Sequence, residues 1–312
     1  MKMGWHSNLY QRILVPLDGS GAAASILPWA SLLTEPDNGT LILLHILEPD
    51  APKTRHGEPH LTNRPAAETY LRQCQAHLAQ QSLTVKPLII PAQSPDLPEI
   101  MTQIALDEGA GLIALCTHGR GDPSRWLFGS IAQQLMSSAG LDVLALSPAG
   151  ITRKPAEKLQ HLLVPLDGDR GHEPALSRAC TLAQHTHADL LLAYVSETLG
   201  DLDGLEAITA RFSPRAFDAV LVQEREKTER YLKARAQELR GHGLEASTSI
   251  LRGDPRSRLV ELAASGSFDL LVLASHGHVG TDTGLVPGLA PALSLKSPIP
   301  ALIVPAIIPG VH

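Results

Sequence analysis

The feature that most constrains the fold of this chain is an internal duplication. The segment ILVPLDG at residues 13–19 recurs as LLVPLDG at residues 162–168, which begins 149 residues later. A second pair, LCTHG at residues 115–119 and LASHG at residues 273–277, is separated by 158 residues. A repeat period of this length is typical of two similar domains and not of a short-period solenoid.

The chain has 312 residues, which is enough for two domains of about 150 residues each. The predicted domains are residues 1–150 and 158–312, joined by a polar, proline-bearing linker within residues 147–160. The second copy is nine residues longer between its two motifs. Gly, Asp and Pro accumulate at residues 196–216, so we place the insertion there.

Short apolar runs alternate with segments of helical periodicity in both halves. In the first half the predicted strands are 12–17, 40–47, 84–90, 111–116 and 142–147, and the predicted helices are 21–34, 65–82, 97–108 and 127–138. In the second half the predicted strands are 161–166, 188–195, 245–251, 268–274 and 300–304, with a long charged helix at 219–240. Such alternation, with continuously apolar strands, predicts a parallel sheet covered by helices on both faces. The predicted fold class is therefore α/β, with two doubly wound, Rossmann-like, five-stranded domains.

Composition argues against several classes of function. The net charge of −6, without any cluster of Lys and Arg, gives no basis for nucleic-acid binding. The three cysteines lie far apart and form no Cys-x-x-Cys pair, which favours a reducing compartment. Residues 1–19 contain no continuous apolar signal segment, and the proline-rich stretch 297–311 is too short to cross a membrane. We therefore expect a cytoplasmic protein that binds neither nucleic acid nor membrane.

The stretch from residue 112 to residue 135 predicts a buried strand, a glycine-bearing loop and the start of a helix. A helix start offers unpaired N–H groups and the positive end of a dipole, which suit a phosphate. In a sheet of strand order 3-2-1-4-5, ligands bind outside the carboxyl ends of the first and fourth strands. Asp18 ends the first predicted strand and Thr117-His118-Gly119 ends the fourth, so they should meet at one crevice. An ordinary strand–helix connection without a ligand is the alternative interpretation.

These residues resemble the universal stress protein family, and the resemblance covers essentially the whole chain as a tandem pair. Nucleotide-binding members of that family carry G-x-x-G, then nine residues, then G-[ST]. Here Cys116 replaces the first glycine, Gly119 is the second, residues 120–128 are the spacer, and Gly129-Ser130 close the motif.

The resemblance implies an adenosine-nucleotide site that holds ATP, with or without Mg or Mn. Asp18 would bind the ribose hydroxyls, the backbone at Ile46 would meet the adenine, and N–H groups near Gly119 and Gly129 would hold the phosphates. The full set of predicted binding residues is Pro16, Leu17, Asp18, Ile46, Cys116, His118, Gly119, Arg120, Gly129, Ser130 and Ile131. The family's fold also implies that the last strands of the two halves pair antiparallel, so that the domains form a pseudo-symmetric pair.

Several of these residues have structural alternatives. Asp18 could cap the following helix, although Ser20 is better placed to do so. His118 could bind loop backbone instead of phosphate, and Arg120 could be an ordinary solvated charge. For Cys116 the sequence favours a buried strand-end thiol over a redox sensor.

The second half departs from the motif where the phosphates should bind. Pro287 and Gly288 replace the Gly-Ser pair, and proline has no N–H to donate. Asp282 adds a negative charge to the loop, and Pro291 is expected to disturb the following helix. We therefore expect weak or no ATP binding in the second half.

The sequence contains no P-loop, no dinucleotide fingerprint and no nucleophile elbow. The leading hypothesis is a stress-response protein that binds ATP in its first half and acts as a nucleotide-dependent regulator or adaptor. An adenylating or slow ATP-hydrolysing enzyme, with residues 196–216 as its lid, is one alternative. A nucleotide-free interaction module is another. Protein partners are not identified by the sequence, and a homodimer is left open.

Overall fold

The structure is a computed structural model. It describes residues 9–48, 54–55, 58–59, 61–79, 83–92, 94, 96–117, 129–138, 140–151, 153–155, 157–196, 198, 214–275 and 289–306.

One continuous sheet runs through both halves of the chain. Its strands are β1 (Arg12–Pro16), β2 (Thr40–Leu47), β5 (Thr84–Pro91), β6 (Leu112–Cys116), β7 (Asp142–Leu146), β8 (His161–Pro165), β9 (Asp189–Ser196), β10 (Ala246–Arg252), β11 (Leu270–Ser275) and β12 (Ala301–Pro305). They lie in the order β10-β9-β8-β11-β12-β7-β6-β1-β2-β5. Each half therefore has the predicted strand order 3-2-1-4-5, which confirms the fold class.

The described helices cover both faces of this sheet. They are α1 (Gly21–Ala24), α2 (Leu27–Leu33), α3 (Arg64–Leu78), α4 (Leu97–Asp107), α5 (Gly129–Ser138), α6 (Glu173–Thr186), α7 (Pro214–Gly241), α8 (Pro255–Ala264) and α9 (Leu289–Lys296), with a short 3-10 helix at Arg170–His172. Within the described ranges, no helix combines the length and the apolarity that crossing a membrane requires.

The apolar strands build two cores, one on each face of the sheet. In β1, Ile13 and Val15 belong to the core beneath α2 and α3, whereas Leu14 belongs to the core beneath α4 and α5. All three side chains are fully buried. This two-sided burial explains why the strands are continuously apolar instead of alternating with polar residues.

Proline positions account for two differences from the predicted helices. The predicted helix 21–34 is divided into α1 and α2, because Pro28 lies in the first turn of α2 and has no N–H to continue the bonding from α1. Pro291 was expected to disturb the last helix, and this expectation is wrong for the described residues. Pro291 lies in the first turn of α9, where its missing N–H is not needed, and the helix continues to Lys296.

Other boundaries also differ from the prediction. A short hairpin of β3 (Thr54–Arg55) and β4 (Glu58–Pro59) was not predicted. Helix α7 begins at Pro214, within the predicted insertion, and is 28 residues long. Most of the insertion, residues 197 and 199–213, lies outside the described residues.

The two halves are joined by antiparallel pairing of β7 with β12, as the resemblance implied. Leu144 lies opposite Leu302, and Val143 lies opposite Ile303. Two side chains add hydrogen bonds across the same boundary: the Ser147 hydroxyl donates to the Ser297 carbonyl, and the Ser275 hydroxyl donates to the Met136 carbonyl. Each half thereby covers the edge strand that the other half would otherwise expose.

A buried polar cluster supports this junction. The Tyr10 hydroxyl and the Arg178 Nε both donate to Asp142 Oδ2, the latter at 2.8 Å. The Arg178 guanidinium also lies over the Tyr10 ring, 4.6 Å from its centroid. Burial, together with the charge of Asp142, raises the pKa of Tyr10 well above its usual value, so its hydroxyl stays a donor. Tyr10 and Asp142 belong to the first half and Arg178 to the second.

Replacing Arg178 with Ala should destabilise the protein by about 3–5 kcal/mol, because it leaves the buried Asp142 carboxylate without its cationic partner. The Asp142 and Arg178 side chains are only 8% and 16% exposed, so solvent screens the pair weakly. Urea unfolding monitored by circular dichroism measures the change. Lys233→Ala, which removes the solvent-exposed partner of Glu229, is the control and should have little effect. Equal destabilisation by the two substitutions would contradict the role assigned to the cluster.

Candidate functional site

The carboxyl ends of β1 and β6 lie side by side at one edge of the sheet. The strands are parallel neighbours, with Ile13 opposite Leu112 and Leu14 opposite Ile113. Their carboxyl ends open onto the crevice where the winding of the sheet reverses, the usual ligand position in such folds. The structure thus brings the residues around Asp18 close to the end of β6.

Asp18 shapes the loop that follows β1. Its Oδ1 accepts hydrogen bonds from the Ser20 N–H at 2.9 Å and from the Ser20 hydroxyl at 2.7 Å. Ser20 in turn caps α1, because its Oγ accepts from the Ala23 N–H at 3.0 Å. Ser20 is therefore the helix cap. Asp18 holds Ser20 in place and is itself partly exposed.

Gly19 has a conformation that only glycine adopts easily. Its φ is +101°, and a Cβ at this position would lie 2.6 Å from Cγ of Leu61. The loop after β1 is thus packed tightly against the residues that lead into α3. This close approach fixes the backbone on both sides of Asp18.

A buried histidine ties the same two segments together. His45, which is 1% exposed, places Nδ1 2.7 Å from the Leu17 carbonyl oxygen and Nε2 2.9 Å from the Leu61 carbonyl oxygen. Carbonyl oxygens only accept, so a ring nitrogen that carries a proton donates to the carbonyl beside it. From α3, the Tyr70 hydroxyl donates to the Ser20 carbonyl at 2.9 Å.

Leu61 and Tyr70 are not among the residues predicted for this site. A signal was available for the tyrosine, because Tyr70-Leu71 recurs as Tyr231-Leu232 with both leucines buried. No comparable sequence signal marks Leu61, whose importance depends on the turn at Gly19.

Ile46 directs its backbone into the crevice. The Leu44 carbonyl accepts from the Leu17 N–H at 2.8 Å, so the backbone N–H and C=O of Leu44 point toward β1. Because these groups alternate along a strand, the N–H and C=O of Ile46 point to the same side. Strand β1 ends at Pro16, which lies opposite Leu44. Within the described part of the chain, no backbone group pairs with Ile46 on that side.

Cys116 has the surroundings of a structural thiol. Its Sγ lies 3.0 Å from the Ala22 carbonyl oxygen and 3.4 Å from the Ser25 hydroxyl, at the start of the helical layer. Burial raises the pKa of Cys116 to about 12. The thiol is therefore protonated at neutral pH and a poor nucleophile, in agreement with the interpretation of a buried strand-end cysteine.

The phosphate-binding part of the prediction falls mainly outside the described residues. This applies to His118, Gly119 and Arg120, and to the side chain of Ser130. Helix α5 is described from Gly129, and Ile131 in its first turn is partly exposed. The phosphate contacts therefore stay a prediction.

The second half repeats the aspartate loop with a different partner. Asp167 Oδ1 accepts from the Asp169 N–H and lies 2.9 Å from His172 Nδ1. The hydrogen bond to Asp167 raises the pKa of His172. Burial alone would raise the pKa of Asp167, but the hydrogen bonds from His172 and the Asp169 N–H outweigh it and lower that pKa. Pro287, Gly288 and Asp282 lie outside the described residues.

These features define a tandem pair of doubly wound α/β domains, with the Asp18 loop at the switch point of the first. The chain belongs to the universal stress protein family, whose model matches residues 9–147 and again residues 158–305.

Known proteins share sequence or fold with this chain. The universal stress protein MJ0531 of Methanocaldococcus jannaschii is 24% identical over 154 residues, covering 49% of this chain and 86% of that protein. A universal stress protein from Archaeoglobus fulgidus has a crystal structure with a TM-score of 0.64 at 14% identity, covering 96% of this chain and 97% of that one. The protein PA1789 of Pseudomonas aeruginosa PAO1 gives a TM-score of 0.59 at 16% identity, covering 95% and 93%. At these identities the solved structures show a shared fold.

Replacing Gly19 with Ala should destabilise the protein by more than about 1 kcal/mol, because alanine is strained at this positive φ and its Cβ would collide with Leu61. Thermal unfolding measures the loss. Gly21→Ala is the matched control, since nothing lies within 4 Å of its Cβ and it begins a helix. The assignment is wrong if Gly19→Ala unfolds at the same temperature as the unmodified protein.

The Asp167–His172 pair should make the stability of the second half depend on pH. The raised pKa of His172 gives stability that is complete below its ordinary value of 6.5 and is lost as pH rises through the folded-state value. The lowered pKa of Asp167 gives stability that is complete above 3.8 and is lost as pH falls through the folded-state value. The pair therefore contributes fully between these two ordinary values.

His172→Ala should consequently lower the melting temperature most within that range, and less at higher pH. Differential scanning calorimetry across a pH series measures the difference from the unmodified protein. In an Asp167→Asn background the same substitution should lose its pH dependence. A constant difference at every pH would refute the assignment.

Proposed function

We infer that this chain binds an adenine nucleotide, ATP, in its first half, alone or with Mg or Mn, and that it acts as a nucleotide-dependent regulator or adaptor in the stress response. In this proposal the domains are residues 1–150 and 158–312, and the protein works in the cytoplasm. Family membership supports the stress-response role. The crevice beside Asp18 supports the ligand.

The observation that carries the proposal is the pair of backbone groups at Ile46. A backbone N–H and C=O that face a crevice and have no described partner suit the edge of a purine base, which offers both a donor and an acceptor. Asp18 lies on the neighbouring loop, and its carboxylate can accept from both ribose hydroxyls. The residues present thus fit the adenosine portion of the ligand.

The rigidity of the loop supports binding as well. His45, Leu61 and Tyr70 hold residues 17–20 from three sides, so Asp18 loses little conformational freedom when a ligand arrives. Pre-organisation of this kind increases affinity, because ordering does not have to accompany binding. The helix start at Gly129 would then receive the phosphates.

A regulatory role fits this arrangement better than rapid chemistry. Phosphoryl transfer needs a positioned nucleophile and charge stabilisers beyond a phosphate cradle. Of the residues described around the crevice, Asp18 uses its carboxylate to hold Ser20, and Cys116 has a protonated thiol. Hydrolysis, if it occurs, should be slow.

Asp18→Asn should weaken ATP binding by about tenfold to a hundredfold, because asparagine keeps Oδ1 as an acceptor for Ser20 but has an NH2 group in place of the second oxygen that would accept from the ribose. Isothermal titration calorimetry measures the affinity. Asp167→Asn, the matched change in the second half, should leave it unaltered. If the two variants bind equally well, the site assignment fails.

Gly129→Pro tests the phosphate end separately. Proline is tolerated at the first position of a helix but removes one N–H. We expect this variant to lose affinity for ATP while keeping its affinity for adenosine. Failure of the unmodified protein to bind either compound would favour a nucleotide-free interaction module. Phosphate release at many turnovers per second would favour the enzyme hypothesis.

A further inference from the structure

The two outer edges of the sheet differ, although they are formed by equivalent strands. Strand β5 ends the sheet in the first half and β10 ends it in the second. Val85 pairs with Leu41, and Ala246 pairs with Leu190 in the same register, so each β5 residue from Val85 to Pro91 has a counterpart in β10. An exposed edge strand is a template for pairing with another chain unless it is blocked.

At every outward position of the β5 edge, one backbone group is either missing or already bonded to a side chain. The Thr84 N–H and the Ala92 N–H both point inward, to the Gly39 and Leu47 carbonyls, so the residues between them face outward at alternate positions. These outward residues are Val85, Pro87, Ile89 and Pro91. The two prolines have no N–H to offer a partner. The other two carbonyls accept from side chains of α3, Val85 from Gln75 and Ile89 from Arg64, each at 3.3 Å.

The β10 edge is open at its centre. The Glu245 carbonyl and the Gly253 N–H point inward, to Leu190 and Ser196, so the outward residues are Ala246, Thr248, Ile250 and Arg252. Arginines cover the carbonyls at the two ends: Arg240 donates to Ala246 at 2.6 Å, and Arg258 donates to Arg252 at 2.9 Å. Among the described residues, the outward N–H and C=O of Thr248 and Ile250 have no hydrogen-bond partner.

We propose that β10 pairs antiparallel with β10 of a second copy of this chain, about a two-fold axis at Ser249. In this register Thr248 lies opposite Ile250 of the second copy, and each such pair exchanges two backbone hydrogen bonds. The dimer would satisfy all four outward groups of each copy at once. A continuous sheet through both chains would result, independently of any nucleotide.

The positions of the arginines support a second copy as the occupant. The two covered carbonyls, at Ala246 and Arg252, lie three residues before and three residues after Ser249. The two-fold axis therefore places Ala246 of one copy opposite Arg252 of the second copy. The covered ends therefore limit the pairing to the open centre and fix its register. Arg258 is also paired with Glu261 at 2.8 Å, which reduces its repulsion of a second positively charged edge.

Two further observations favour this occupant. Between Ala246 and Leu251 the strand has no charged residue and no proline, the usual devices against edge pairing. The chain also contains an example of the same kind of contact, because β7 and β12 are edge strands of their own halves and pair antiparallel.

Disulfide trapping tests the register directly. In the proposed dimer the two Ser249 residues face each other as a non-hydrogen-bonded pair, with Cα atoms about 4.5 Å apart, which a disulfide can bridge. Ser249→Cys should therefore cross-link into dimers on mild oxidation. Ser247→Cys is the matched control, since its two copies would be about 13 Å apart and should not cross-link. Native thiols add little background, because Cys74 and Cys180 are buried and the pKa of Cys116 is about 12.

Sedimentation velocity over a range of concentrations tests the pairing itself. Thr248→Pro places in β10 the proline that β5 has at the equivalent Pro87, and it removes two of the four hydrogen bonds of the dimer. We expect its dimer dissociation constant to rise about thirtyfold, with an unchanged circular dichroism spectrum. Ile89→Pro, on the blocked edge, should leave dimerisation unchanged and shows whether an edge proline is tolerated.

Amide hydrogen exchange gives a readout that needs no substitution. The Thr248 and Ile250 amides should exchange more slowly as the protein concentration rises. A chain that stays monomeric at millimolar concentration overturns the proposal, as does equal cross-linking of the two cysteine variants. Protection of these amides only when a different protein is added would assign the edge to that protein instead, and would also overturn it.

Discussion

The antiparallel contact between β7 and β12 is the interaction on which the rest of the molecule depends, because it turns two five-stranded sheets into one. Each of these strands would otherwise expose a row of unpaired backbone groups. The buried cluster of Tyr10, Asp142 and Arg178 stabilises the same junction from the helical layer. Once this junction is formed, β5 and β10 are the remaining edges of the sheet. The junction therefore determines which surfaces are free to bind partners.

Duplication has given the two halves one architecture and different chemistry. Both keep an aspartate after the first strand, and in both its Oδ1 accepts from the backbone N–H two residues later. The second hydrogen bond comes from a serine hydroxyl in the first half and from a histidine in the second. The edges have diverged in the same way, with prolines on β5 and none on β10. A turn and a strand register are thus preserved while the side chains around them change.

Sequence patterns predicted the inner strands well because they are buried on both faces and so read as unbroken apolar runs, whereas the edge strands β5 and β10 are partly exposed. Helix boundaries were predicted less well. A proline such as Pro28 or Pro291 has opposite effects in the first turn and in the interior of a helix, and only the folded chain shows which applies. Sequence reasoning placed Asp18 and Ile46 beside one crevice, and their role in binding stays a prediction. The contacts of His45 and Leu61 could not be predicted, because they join segments 16 residues apart through a carbonyl that any residue could supply.

By itself, the sequence determined the duplication, the α/β class and the asymmetry between the two phosphate motifs. These follow from periodicity, from repeated motifs and from the absence of an N–H in proline, all of which are local properties. Tertiary structure alone decided which backbone groups have no partner among the described residues, at Ile46 in the crevice and at Thr248 and Ile250 on the outer edge. The physical reason is that a backbone group has no sequence signature, and its partner is set by where neighbouring strands begin and end.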